Sequence, residues 1–251
     1  MKNTFEIHID NESATIETTD ELVAILDVLQ GQHDREVLQQ LAPDLHRIIT
    51  NSKSLYKIVS VIQADDQIFL FKLLSNHLID IIGKGSSLRD LLAFISEEAV
   101  EFSLIESLKP HGVQKLIKSA VELAEVLEWV YGSLDKTIIQ YLGINNIKKI
   151  VKSGRELSLI LHALNNELQE FLLDELGLVY MDVIIHETHD FAYLLRVLPF
   201  ETSKKLIDNM SIDKIKDIIR TESDLDYINK YLDKKEHEYL KQKLEGLNYA
   251  L

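Results

Sequence analysis

The chain has 251 residues, enough for one large domain or two small ones, and its 46% apolar and 27% charged content is that of a water-soluble fold. With 27 basic against 41 acidic side chains the formal net charge is −14, which repels phosphate backbones, so no nucleic-acid partner is expected. Cysteine is absent, which excludes disulfides, thiol catalysis and cysteine-ligated zinc.

The opening "MKNTFEIHID" lacks the basic-then-apolar run of a secretory signal. Its alternation places Phe5, Ile7 and Ile9 on one face, and "ATIET" follows after "NES", so residues 1–17 are predicted as a short β-hairpin. From residue 18 the apolar spacing changes to three and four, which is helical. The longest apolar runs, such as "LLAFI", fall far short of the roughly 20 residues that span a bilayer. No membrane span is expected, and the cytoplasm of the producing cell is the expected location.

A period then organises residues 18–246. Apolar pairs recur at Ile48-Ile49, Ile81-Ile82, Leu116-Ile117, Ile150-Val151, Ile184-Ile185 and Ile218-Ile219, in steps of 33, 35, 34, 34 and 34. Seven residues later stand Leu55, Leu88, Leu123, Leu157, Phe191 and Leu225, preceded by Leu22. A third column holds Leu41, Leu74, Leu108, Leu142, Leu176, Met210 and Leu244. Three columns in register predict units at 18–43, 44–76, 77–110, 111–143, 144–177, 178–211 and 212–246, each of three short helices except the first, a partial unit in which the hairpin replaces the first helix. The second helix of the unit has a start signal in Thr18-x-x-Glu21, Ser119-x-x-Glu122, Ser153-x-x-Glu156 and Thr221-x-x-Asp224, the capping-box arrangement. Glu97, Glu98 and Glu101 open a third helix and read as a solvated start favoured by the helix dipole. Trp129 shares a column with Val61, Phe94 and Val197 and reads as core. The last unit has Asn229 and Lys241 where other units are apolar, which suits a capping repeat. Residues 247–251 are a tail.

The expected fold is therefore all-α: an α-solenoid of helical repeats with a short N-terminal β-hairpin cap. A repeat of about 34 residues resembles the tetratricopeptide and HEAT class of α-solenoids, although the Trp, Gly, Tyr, Ala and Pro positions of the tetratricopeptide pattern are absent. "INNIKKIVKSGRELSLILHAL" (144–164) and "LLRVLPFETSKKLIDNM" (194–210) are similar to the degenerate helical repeats of proteins secreted by intracellular bacteria of the Legionella and Coxiella group. That resemblance implies a bacterial effector, or a regulator that binds one, delivered to a host cell without a Sec signal. It carries over no catalytic residue.

The stretch "IIHETHDF" (184–191) is the nearest approach to a metal motif. Zinc proteases space two histidines at i and i+4 on one helix. Here His186 and His189 are at i and i+3 and cross a predicted helix start. In register, Glu187 takes the cap position, Asp190 the capping acid and Phe191 the anchor leucine. "GKGSS" (83–87) lacks the strand and glycine spacing of a phosphate loop. No cofactor and no metal are expected.

The suggestive columns lie on the second helix. One runs Lys57, Asp90, Glu125, Leu159, Tyr193, Tyr227, and another Ser60, Ala93, Glu128, His162, Arg196, Lys230. The later members, Leu159, His162, Tyr193, Arg196, Tyr227 and Lys230, are predicted to form a partner-binding aromatic and basic patch, because Tyr and Arg concentrate at the energetic centres of interfaces. The expected function is non-catalytic protein–protein binding. The alternatives are an enzyme with a groove site around His162, His186, His189 and Asp190, and a structural adaptor.

Overall fold

The computed structural model describes residues 4–9, 12–130 and 132–246, so the 247–251 tail lies outside the described residues. The hairpin is present: β1 (Phe5–Ile9) pairs antiparallel with β2 (Glu12–Ile16), with Ile7 opposite Ala14 and Phe5 opposite Ile16. Everything after it is helical. α1 (Thr19–Leu29) and α2 (Asp34–Leu41) come first, then α3 (Leu45–Ile48), α4 (Ser52–Val59) and α5 (Ala64–Leu73). α6 (Leu78–Ile82), α7 (Gly85–Phe94) and α8 (Glu98–Leu116) follow, then α9 (Ala120–Leu127) and α10 (Leu134–Leu142). The chain continues with α11 (Ile144–Ile150), α12 (Gly154–Ala163), α13 (Asn166–Leu176), α14 (Leu178–Ile184), α15 (Thr188–Val197) and α16 (Phe200–Asn209). α17 (Ile212–Ile218), α18 (Glu222–Asn229) and α19 (Lys234–Gly246) close it. No helix among the described residues is long and apolar enough to cross a membrane.

The chain divides into two compact units, Met1–Lys118 with Trp129–Leu142, and Ser119–Glu128 with Gly143–Leu251. Within the first, α1 packs on α4 and α4 on α7, while α2 packs on α5, α5 on α8 and α8 on α10. The hairpin sits on the same layer, β1 against α2 and β2 against α1. Within the second, α9 packs on α12, α12 on α15 and α15 on α18, and α16 packs on α19. Each of these pairs joins equivalent helices of successive repeats.

The three apolar columns supply the core. Every residue of the Leu41-to-Leu244 column is buried, and so are Leu22, Leu55, Leu88, Leu123, Leu157 and Phe191. Leu225 of the last unit is only half buried. All seven second helices begin at the column the start signals mark: Thr18, Asn51, Lys84, Ser119, Ser153, Glu187 and Thr221 are their N-caps. Thr18, Asn51, Ser119, Ser153 and Thr221 accept a backbone N–H three residues on, which satisfies a donor the helix leaves free.

α8 runs through the boundary between the repeats 77–110 and 111–143, with a break at Lys109 before Pro110. Lys109 has φ 58 and ψ 173, and its register partners Gly143 (φ 75, ψ 144) and Gly177 (φ 74, ψ 155) adopt nearly the same backbone. Glycine makes this turn without a Cβ clash, whereas lysine is strained there.

A polar residue recurs at one position of the third helices. Asp34, Gln67, Glu101, Asp135, Gln169 and Ser203 occupy one repeat position. Gln67 Nε2 donates to the carbonyls of Val59 (2.9 Å) and Ile62 (3.1 Å), at the end of the preceding second helix. Gln169 Nε2 repeats this with Leu161 (2.7 Å) and Leu164 (3.3 Å). Both amides thus satisfy carbonyls that a helix end orphans. Glu101 therefore departs from the solvated start expected of it: it is only 4% exposed, and Asp135 only 7%. Glu101 Oε2 and Asp135 Oδ1 have no hydrogen-bond partner. Burial pushes the Glu101 carboxyl up to about 7, helped by the negative charges of Glu98 and Asp135, and burial pushes Asp135 up to about 6. Burial, then Asp66, also raises Asp34.

Two outcomes follow from this packing. Lys109→Gly relieves the strained turn, so the urea midpoint is expected to rise, by about 1 kcal/mol in stability. The second concerns pH. Acids whose folded pKa is raised stabilise the fold fully below their unfolded pKa, and that contribution is lost as pH climbs through the folded value. Thermal stability is therefore expected to fall between about pH 5 and pH 7, the window the values near 6 and 7 define. Glu101→Gln, which supplies the amide found at Gln67 and Gln169, is expected to flatten that fall in melting curves and raise the midpoint at pH 8.

Candidate functional site

The stretch around His186 serves the fold. Asp190, 5% exposed, accepts the backbone N–H of His186 (3.1 Å) with one oxygen and that of Arg155 (3.1 Å) with the other. It thus caps its own helix and ties it to the start of α12. Gly154 allows that approach: a Cβ there would lie 2.7 Å from the Asp190 carbonyl oxygen and 2.8 Å from its Cβ. Thr188, also buried, donates to the Ile218 carbonyl (2.7 Å) and to Asp224 (3.1 Å). The hydroxyl of Thr19 makes the same reach to Ile48 (2.6 Å). His186 is exposed, and the His189 ring lies 4.4 Å from that of Tyr227. Among the described residues no group of three or more His, Cys, Asp or Glu side chains is placed to hold a metal ion.

The predicted patch is assembled in part. Tyr193 on α15 lies 5.9 Å, ring to ring, from Tyr231, just beyond α18, and Tyr227 lies 5.3 Å from Tyr231. The Tyr227 and Tyr231 hydroxyls are 3.3 Å apart. Arg196 stands over Tyr231 at 5.7 Å and Arg155 over Tyr193 at 5.5 Å. The hydrogen bond to Tyr231, before any burial, pushes the Tyr227 phenol up to about 12. Three tyrosines, two guanidinium groups and one imidazole thus form a continuous, half-exposed surface on consecutive second helices. Leu159 and His162 are exposed on α12 and Lys230 is exposed after α18. Among the described residues these three add no ring or cation contact to it.

Two members of the cluster, Arg155 and Tyr231, are not among the residues the sequence singles out, and His189 is singled out there only for the alternative groove site. They sit in other repeat columns, and the stagger between neighbouring helices brings position i of one unit onto i+38 of the next: Arg155 onto Tyr193, His189 onto Tyr227, Tyr193 onto Tyr231. Trp129 corrects the core expectation, being 44% exposed. A further surface lies on α14, where Val179 and Val183 are exposed. The register equivalents of Val183 are Arg47, Asp80, Lys115, Lys149 and Asp217, so apolar character here is peculiar to one unit. His77 stacks flat on His46 with ring centres 4.1 Å apart.

No protein-family model, no curated protein and no solved structure matches the chain.

Asp190→Ala is expected to strand two part-buried backbone donors, at a cost of about 2 kcal/mol in a urea titration. A change confined to function, with no loss of stability, contradicts the structural role.

Proposed function

We propose that the chain is a non-catalytic protein-binding module. In this reading its repeats stack as an α-solenoid, and the second-helix surface around Tyr193, Arg196 and Tyr227 is its contact face. The observation that carries it is the cluster of half-exposed tyrosines crossed by two arginines, the residue types on which interfaces depend most. Each guanidinium lies over a ring and keeps its in-plane donors free, so the face offers both apolar area and directed hydrogen bonds. The partner would be occluded or scaffolded, with no covalent step. The likeness to secreted repeat proteins directs the search to host proteins and to other effectors.

The test is affinity capture from lysates of the producing organism and of a candidate host, with measured affinity for whatever is retained. Tyr193→Ala and Tyr227→Ala are each expected to weaken binding by about 2 kcal/mol, roughly thirtyfold, with little change in melting temperature. Undiminished binding by both variants overturns the reading.

A further inference from the structure

The N-terminal hairpin leaves one edge open. Gln40 covers the other at His8: the His8 N–H donates to its Oε1 (2.8 Å) and its Nε2 donates to the His8 carbonyl (2.7 Å). A side-chain amide thus stands where a neighbouring strand would. In an antiparallel pair, a residue whose N–H and C=O point away from its partner strand faces one that does the same. His8 is opposite Ser13, so Ser13 turns both groups outward from β2. With a period of two, Thr15 does likewise. The sheet has two strands among the described residues, and no backbone group there pairs with Ser13 or Thr15.

A groove of about 700 Å3 lies along this edge, between β2 and the second half of α1. Ala14, Ala24, Ile25, Val28 and Leu29 make its lining largely apolar, and Val28 is 80% exposed. The surroundings are acidic. Residues 1–36 carry nine acidic and two basic side chains, so −7 of the net −14 falls in a seventh of the chain. Glu12 lines the groove itself, and Glu17, Asp20, Glu21 and Asp27 belong to α1 and the link before it, where Asp20 pairs with Lys57 and Glu21 caps the helix. A second copy of this chain would bring the same charge to the edge, whereas a basic segment is attracted.

We propose that the open edge of β2 docks an extended, basic segment of another protein as a third strand. Its main chain pairs with Ser13 and Thr15, its alternate apolar side chains enter the groove, and its Lys or Arg side chains meet the acidic rim. The site shares no residue with the tyrosine cluster, so the two stand or fall separately.

The probe is a displayed library of random nine-residue peptides, selected on the full chain. Two variants leave the hairpin intact. Ser13→Pro removes an outward N–H that β1 does not use, and Val28→Lys places a like charge on an exposed position. Recovered peptides are expected to alternate apolar residues with Lys or Arg and to slow amide exchange at Ser13 and Thr15. They are expected to bind each variant about tenfold more weakly, the effect of one lost hydrogen bond or charge match, and Tyr227→Ala unchanged. Four results overturn the proposal: no enrichment, recovery of acidic or helical peptides, binding undiminished in both variants, or a chain that dimerises through β2.

Discussion

Brevity of the helices is the constraint from which the rest of the structure follows. The second helices have eight to eleven residues, and α3 has four. Segments shorter than about 12 to 15 residues are marginal alone in water. Each helix is therefore held by the equivalent helix of the next repeat, as the packing of α12 on both α9 and α15 shows. The same dependence explains why polar bonds cross between repeats at fixed points. Thr19 to Ile48, Thr188 to Ile218 and Asp190 to Arg155 all fasten the start of one second helix to a neighbouring repeat.

The buried polar column is the complementary arrangement at the other end of the second helix. In three repeats a carbonyl there meets an inward-facing side-chain donor. Glutamine supplies one at two positions and Ser203 approaches the Leu198 carbonyl at 3.5 Å. A carboxyl does so only when protonated. Placing Glu101 and Asp135 there couples packing in the first unit to proton concentration near neutrality. The half-buried capping acid Asp224 behaves oppositely: held below the usual carboxylate range chiefly by the Thr221 hydroxyl, it favours its charged form.

The repeat and its caps were legible in the sequence because both are strictly periodic. Columns of leucine and isoleucine mark burial directly, and Ser or Thr three residues before an acid marks a helix start. Burial of Glu101 was not legible, since an acid in a first turn is the ordinary sign of an exposed, dipole-favoured position. Comparing it with Gln67 and Gln169 in register gives the missing signal, a column that is polar yet never Lys or Arg. The tyrosine cluster was half legible. Tyr193, Arg196 and Tyr227 stand in columns a single chain displays, whereas Arg155, His189 and Tyr231 join through the stagger between helices, which a linear period does not contain.

The Gln40 amide against His8 has a consequence for assembly. A two-stranded sheet with both edges open is a template that can lengthen in both directions, one chain handing its free edge to the next without end. With Gln40 seated on His8, each copy has β2 alone to offer to another copy, so edge-to-edge pairing of copies stops at two chains. The hairpin thereby works against end-to-end growth of this chain on itself.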